Sequence, residues 1–422
     1  MSESPLPVAV IGAGPIGLAA AANLLERGLE PLVLEAGPRV GASIRDWGHV
    51  ELFTPWSYLV DPASRRLLEA RSSWRAPPED RTPRGEELVE SYLDPLARLG
   101  TMSDRIHLSH EVTNVSRVGH DRMKEGRRGK APFMLVVDTP EGRRRFTARA
   151  VIDASGTWTT PNPMGAGGVE ADGEREHRDR IRYGIPDVLG RERARYAGKR
   201  TVVVGSGHSA IGTVLALVEV ARREPGTLVA WAVRREQPSR LWGGGDADEL
   251  SGRGALGTRV HAAVHSGEVA LLTGLSISAV RKHREGLEVL DDTGKARLVV
   301  DEIVVATGGR PNVAMLRELR LDLDLATEST KALGPLIDPN HHSCGSVRPH
   351  GAAELAHPEQ DFYVVGMKSY GRAPTFLLPT GYEQARSVVA ALAGDHEAAG
   401  RVELVLPQTG VCSTDAAGGP CC

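Results

Sequence analysis

Cysteine is scarce in this chain. Four occur in 422 residues, at 344, 412, 421 and 422, and none stands in a CxxC pair. That excludes both a disulfide framework and a zinc cluster. Charge of one dominant sign is also lacking: 51 basic residues face 54 acidic ones, for a formal net charge of -3. A broad electrostatic footprint for nucleic acid is therefore excluded. No stretch approaches about 18 uninterrupted apolar residues. The run Met1 to Pro7 has neither the basic nor the apolar part of a secretory signal. No membrane span is expected, and a cytoplasmic location is. No Ser-His-Asp or paired-carboxylate constellation stands out, so the catalytic residues stay unassigned. The remaining composition, 41% hydrophobic and 25% charged, is that of a globular enzyme. The length exceeds the roughly 250 to 300 residues that one core fills, so at least two domains are expected.

What is present repeats. Pro7 to Ile11 is an apolar run that breaks into Gly12-Ala13-Gly14-Pro15-Ile16-Gly17 and an alanine-rich helical stretch to about Arg27. A second short strand, Leu32 to Leu34, ends in Glu35. Nearly two hundred residues later Thr201 to Val204 breaks into Gly205-Ser206-Gly207-His208-Ser209-Ala210 and a helical stretch to about Ala221. Leu228 to Val233 follows as a strand that ends in Arg234-Arg235. One βαβ plan thus occurs twice, which predicts an α/β protein with two Rossmann-like folds.

A lone GxGxxG says little, but here it follows a strand, opens a helix and is answered by an acidic residue at the end of the next strand. The first glycine permits the turn. The second lets a pyrophosphate approach the backbone, and the third lets the helix pack closely. Glu35 accepts hydrogen bonds from a free ribose diol and repels a 2′-phosphate, whereas Arg234 and Arg235 attract one. The first fold is therefore expected to take FAD or NAD and the second NADPH.

Between the two plans lie a Pro- and Arg-rich stretch (71–84), a helix over 86–99, strand-like runs over 106–118 and 133–137, and a strand into a glycine turn at 151–156. The last has a counterpart at 303–308. Residues 165–180 and 243–257 read as surface loops and 410–422 as a mobile tail.

The pairing of GAGPIG with VLEAG, the segment DASGTWTTPNP (153–163), VVVGSGHSA (202–210) and ATGGRPN (306–312) resembles the flavoprotein monooxygenases with two dinucleotide-binding domains. The resemblance covers roughly residues 7–400. It implies an NADPH domain inserted in the FAD domain. The expected division is 1–165 and 333–400 for FAD, 166–195 as linker, 196–332 for NADPH and 401–422 as a cysteine-containing tail. It implies FAD contacts from Gly12, Gly14, Pro15, Gly17, Glu35, Ala36, Arg45, Trp47, Val112, Gly156 and Gly366. NADPH contacts are expected from Gly205, Gly207, His208, Ser209, Arg234, Arg235 and Gly308. Residues 361–366 would form the last strand, with a closing helix over 380–392. Trp56 and Arg372 are further candidates for the flavin pocket. Two departures stand out. The FxGxxxHxxx(F/Y) fingerprint of class B enzymes is absent before the second motif, and Met367 follows Gly366 where disulfide reductases carry Asp.

A narrower resemblance lies in GASIRDWGHVELFTPW (41–56), RYGIPDVLG (182–190), DPNHHSCG (338–345), YVVGMKSYGRAPTFLLPTGYEQ (363–384) and the Cys-Cys end. These segments resemble the flavin monooxygenases encoded with arsenical-resistance genes. That implies NADPH- and oxygen-dependent oxidation of trivalent arsenic, with Cys344, Cys412, Cys421 and Cys422 as soft ligands for the metalloid. No resident metal is expected. The rival reading is a thiol or metal reductase that uses the terminal cysteine pair, although the flavin-facing CxxC or CxxxxC dithiol of such enzymes is missing. A non-enzymatic metalloid-binding or redox-sensing protein is the third. The oligomeric state is left open, a homodimer included.

Overall fold

The computed structural model describes residues 5–237, 241–242, 251–341, 347–374 and 376–404. The chain forms two compact units, one from residues 1–159 and 310–407 and the other from 160–309.

The first segment of unit 1 runs β1 (Val8–Ile11), helix α1 (Pro15–Glu26), β2 (Pro31–Leu34), helix α2 (Pro62–Arg71), β3 (Ile106–His107), β4 (Glu111–Arg117), β5 (Phe133–Thr139), β6 (Gly142–Ala148) and β7 (Ala150–Asp153). Unit 2 follows with β8 (Ile181–Tyr183), β9 (Arg200–Val204), helix α3 (His208–Arg223), β10 (Leu228–Ala232), helix α4 (Ser251–His265), β11 (Val269–Leu272), β12 (Ile277–His283), β13 (Gly286–Asp291), β14 (Ala296–Val300) and β15 (Glu302–Val305). The chain then returns to unit 1 for β16 (Phe362–Val364) and helix α5 (Leu378–Leu392).

Each unit has one parallel and one antiparallel sheet. In unit 1 the parallel sheet has the order β16-β7-β1-β2-β3, and β4-β5-β6 form a meander. In unit 2 the parallel order is β11-β10-β9-β15-β8, beside the meander β12-β13-β14. β1 and β7 are buried at every position, as expected of parallel strands covered on both faces. The first strand of each plan sits inside its sheet, with the second strand on one side and a later strand on the other. That is the topological switch point at which α/β sheets open a crevice beyond their carboxyl ends. Hydrophobic clusters keep within the units. One joins α1, α5 and residues 88–102, and another fills the space between β1, β7 and the first meander. Unit 2 has its own pair of clusters.

Local expectations meet the fold unevenly. The helix expected over 86–99 is interrupted by a π-turn at Val89–Leu93. Pro95 has no N–H for the carbonyl of Ser91, four residues back. That carbonyl instead accepts the Trp74 indole N–H at 2.7 Å. The loop expected over 243–257 is helical from Ser251. Its glycines read as breakers, but Gly254 and Gly257 fall on the buried face with Arg253, Val260 and Ala263. Small residues at that spacing let α4 lie close to its neighbour. Within 166–195, the expected linker, β8 adds an outer strand to the unit 2 sheet beside β15. Buried Glu174 there accepts the amides of Met164 at 3.0 Å and Ala171 at 2.6 Å. The units divide at 159/160 and 309/310, where the sequence reading places boundaries at 165/166 and 332/333.

Candidate functional site

In unit 1 the turn between β1 and α1 has three glycines with three different surroundings. Gly12 adopts φ +100, and a Cβ there would lie 2.9 Å from the carbonyl oxygen of Ala154. A Cβ at Gly17 would lie 1.9 Å from the Gly12 carbonyl oxygen. Around Gly14 no atom lies within 4 Å of the added carbon. Gly12 and Gly17 thus serve the close approach of turn, helix and strand, and Gly14 leaves an open cradle. Helix α1 starts on Pro15 with no side-chain cap, so its first amides remain available to an anion. Glu35 borders the same crevice. Its carboxylate accepts the Ala13 amide at 2.6 Å and the Gly37 amide at 2.7 Å. Each carboxylate oxygen has a second lone pair, so acceptor capacity remains for ribose hydroxyls. Ala36 beside it is exposed.

Unit 2 repeats this geometry. Gly205 has φ +132, and its added Cβ would lie 2.3 Å from the Ala306 carbonyl oxygen. Gly207 faces open space, and helix α3 begins at His208 without a side-chain cap. Ala210 replaces the third glycine, and its methyl is fully buried. The opposing turn over 306–309 is locked by Asn162, whose amide donates to the carbonyls of Thr307 at 3.1 Å and Gly309 at 3.3 Å. Thr307 returns a bond from Oγ1 to the Asn162 carbonyl at 2.7 Å. Gly308, at φ +78, completes that turn. Arg234 and Arg235 lie just beyond β10. Arg234 is exposed and Arg235 half-buried, and Arg234 donates to the Ala166 carbonyl at 3.2 Å. His208 is exposed and Ser209 half-buried at the start of α3.

The remaining residues singled out from the sequence have packing or pairing partners within unit 1. Arg45 forms a 2.6 Å ion pair with Asp94 and donates to the Val40 carbonyl. Trp47 lies so close to Gly85 that a Cβ there would sit 2.7 Å from its ring. Val112 is buried in the cluster between sheet and meander, and Trp56 is core. Arg372 is exposed, 4.0 Å from Glu328. Gly366 has φ +73, and its Cβ would meet Ile16 at 3.2 Å. Its amide donates to Gln384 Oε1 at 2.7 Å, so this glycine serves close approach to α1 and not donation to a ligand. Cys344, Cys412, Cys421 and Cys422 lie outside the described residues.

Sequence reasoning missed a polar layer beneath the first crevice. Lys368 reaches Asp153 at 2.7 Å and Ser155 at 3.0 Å. Nearby, Ser369, Gln384 and His350 form a buried hydrogen-bonded chain. Burial lowers the pKa of the His350 ring. Asp153 and Ser155 occupy the turn already noted in the sequence, but nothing in a linear pattern says that Lys368 returns to them.

The two crevices fit dinucleotides on their own geometry: an open second glycine, uncapped helix amides and a strand-end side chain suited to a ribose or its phosphate. Among the described residues no helix is long and apolar enough to cross a membrane, and no cluster of three or more His, Cys, Asp or Glu could hold a metal ion. A ferredoxin–NADP reductase from Thermus thermophilus is 27% identical over 225 residues. That match spans 53% of this chain and 53% of the relative, about half the length of each. The structure of bacillithiol disulfide reductase from Bacillus cereus superposes with a TM-score of 0.65 at 19% identity, over 93% of this chain and 99% of that one. A flavin monooxygenase from Stenotrophomonas maltophilia gives 0.61 at 20% identity, over 93% and 99%. Both share the fold. The pyridine nucleotide-disulphide oxidoreductase family matches residues 9–333. The chain therefore belongs to the pyridine nucleotide-disulphide oxidoreductase family.

Proposed function

We propose that unit 1 holds FAD, that unit 2 holds NADPH, and that the electrons leave to oxygen in a monooxygenase reaction on a soft nucleophile, with trivalent arsenic as the substrate. The observation that carries the cofactor assignment is the contrast at matching strand ends, Glu35 in one fold and Arg234-Arg235 in the other. A carboxylate suits a ribose diol, and guanidinium groups suit a 2′-phosphate. Bound FAD supplies the two-electron acceptance from NADPH and the return of those electrons to an acceptor. The chain's own residues bind and orient. Gly14 and Gly207 admit the pyrophosphates, the uncapped amides of α1 and α3 face them, and Glu35 accepts the ribose hydroxyls. Gly12, Gly17, Gly156, Gly205, Gly308 and Gly366 shape the turns, with Pro15, Ala36, His208 and Ser209 lining or supporting them, while Val112 packs in the core between sheet and meander.

Oxygen is favoured as acceptor because the four cysteines include no CxxC or CxxxxC dithiol, which a disulfide-reducing flavoenzyme needs. One oxygen atom is transferred to the nucleophile, and the other leaves as water with the two electrons from NADPH. The metalloid assignment rests on Cys344, Cys412, Cys421 and Cys422, whose thiolates suit a soft centre. The Thermus relative favours a second reading, in which electrons pass to another acceptor; the terminal cysteine pair then serves as a thiol or metal acceptor. Purified yellow protein should oxidise NADPH and consume oxygen faster with methylarsenite or arsenite. If neither stimulates oxygen uptake, the substrate assignment fails. NADPH oxidation without oxygen, driven by Hg(II), a disulfide or ferredoxin, would establish the reductase reading instead.

A further inference from the structure

The Asp153–Lys368 pair is buried to an extent that stability alone does not explain. The two side chains are 0% and 2% exposed and meet at 2.7 Å. A buried ion pair of this kind gains little over well-packed apolar residues, because desolvation offsets the attraction. The pair closes a ring with Ser155. The Ser155 amide donates to Asp153 Oδ1 at 3.1 Å, its hydroxyl donates to the same oxygen at 2.6 Å, and Lys368 donates to that hydroxyl at 3.0 Å. Unlike its partners, Ser155 is exposed.

Its place in the sheet is specific. Asp153 ends β7 in register with Ile11 of β1 and Val364 of β16. Ile11 precedes Gly12, and the carbonyl of Ala154 is the atom that a Cβ at Gly12 would strike. The turn over 154–156 therefore forms one wall of the crevice. The equivalent turn in unit 2 is held by neutral groups, Asn162 and Thr307. Charge is not required to lock such a turn, so the buried pair in unit 1 has a further role.

We propose that Lys368 is a positioning residue for FAD. Acting through Asp153, it orients the exposed Ser155 hydroxyl and the 154–156 turn against the dinucleotide. The inference rests on the assignment of FAD to unit 1. Lys368 lies 215 positions from Asp153, so the wall is locked only once the second segment of the unit has docked.

The test compares wild type with Ser155→Ala and with the double variant Asp153→Asn/Lys368→Met, which removes both charges and leaves neither buried alone. FAD is removed and returned, and three quantities are measured: the apoprotein Tm, the FAD Kd and the visible spectrum of the bound flavin. Ser155→Ala is expected to keep the apoprotein Tm while weakening FAD about threefold, the loss of one hydrogen bond. The double variant is expected to weaken FAD about tenfold and to shift the flavin spectrum. An unchanged Kd and spectrum in the double variant, or a weaker Kd there that only follows a lower apoprotein Tm with Ser155→Ala unaffected, would overturn the proposal. Wild-type protein that takes up no FAD would overturn the cofactor assignment itself, before any variant is compared.

Discussion

Two glycines one residue apart answer to different physical demands. A methyl at position 12 would combine φ +100 with a 2.9 Å approach to the Ala154 carbonyl, which L-residues avoid at a cost of about 1–3 kcal/mol. At position 14 the backbone is extended, with φ -79 and ψ -173, and no atom is near the added carbon. The fold therefore does not require glycine at position 14; in the proposed function the ligand does. Gly14→Ala is expected to leave the apoprotein as stable as wild type, or up to about 1 kcal/mol more so. It should weaken FAD binding by about tenfold or more by blocking pyrophosphate approach. Calorimetry of the apoprotein and fluorescence titration with FAD check the two halves. Wild-type FAD affinity in this variant would refute the placement of the pyrophosphate. Both glycines were legible in the sequence as one motif. So was their division of labour; what the motif does not contain is the atom that makes glycine necessary at position 12, the Ala154 carbonyl, which lies 142 positions further along the chain.

Helix α2 has a different kind of start from α1 and α3. Asp61 caps it, accepting the Ser64 amide at 2.7 Å, while itself 2% exposed. Burial, only partly offset by hydrogen bonds from Ser64, pushes its pKa from 3.8 up to about 6. The folded-state value lies above the unfolded one, so folding favours the protonated carboxyl. That contribution is fully present below about pH 4 and is lost as pH rises through 6, a change of about 3 kcal/mol. Asp61→Asn keeps an oxygen for the cap and removes the titration. Its denaturant stability should vary less between pH 4 and 7 than that of wild type, with the difference concentrated between 4 and 6. Identical pH profiles would show that the burial penalty is not felt. Asp followed by Pro at a helix start is a readable capping signal, but burial of its carboxylate is set by Tyr92 and Tyr382, from distant elements. The amide of Asp61 donates to the Tyr92 hydroxyl and the Tyr382 hydroxyl to the carbonyl of Leu59.

At the scale of the molecule, unit 1 is discontinuous and unit 2 is inserted in it. The insertion enters and leaves through neighbouring chain, since Pro161 and Gly309 pair as an antiparallel bridge. Each hydrophobic cluster belongs wholly to one unit. The two segments of unit 1 are joined by buried charge as well as by apolar packing. Glu359 accepts Arg117 and Arg128 at 2.7 Å each and the Arg320 amide at 3.0 Å. Burial alone would raise its pKa, but these donors outweigh it and hold the carboxylate below its ordinary range. Replacing 160–309 by a short Gly/Ser linker is therefore expected to leave a folded unit 1 that binds FAD and is no longer reduced by NADPH, because an insertion whose ends lie together can be excised without opening the core. Circular dichroism, FAD titration and anaerobic mixing with NADPH check each part. An unfolded product would show that unit 1 depends on the inserted unit.

The sequence by itself determined the α/β class and the two nucleotide plans, and it carries the proposed division of cofactors between them. These follow from local features: periodicity, glycine spacing and the residue that ends a strand. Only the tertiary structure decided what surrounds them. The entry of Pro161 beside Gly309, the strand at 181–183 within an expected linker, and the return of Lys368 to Asp153 all depend on pairings between residues far apart in the chain. Burial turns such pairings into chemistry, because a lysine, an aspartate or a histidine titrates and hydrogen-bonds according to what excludes water from it. No run of neighbouring residues records that.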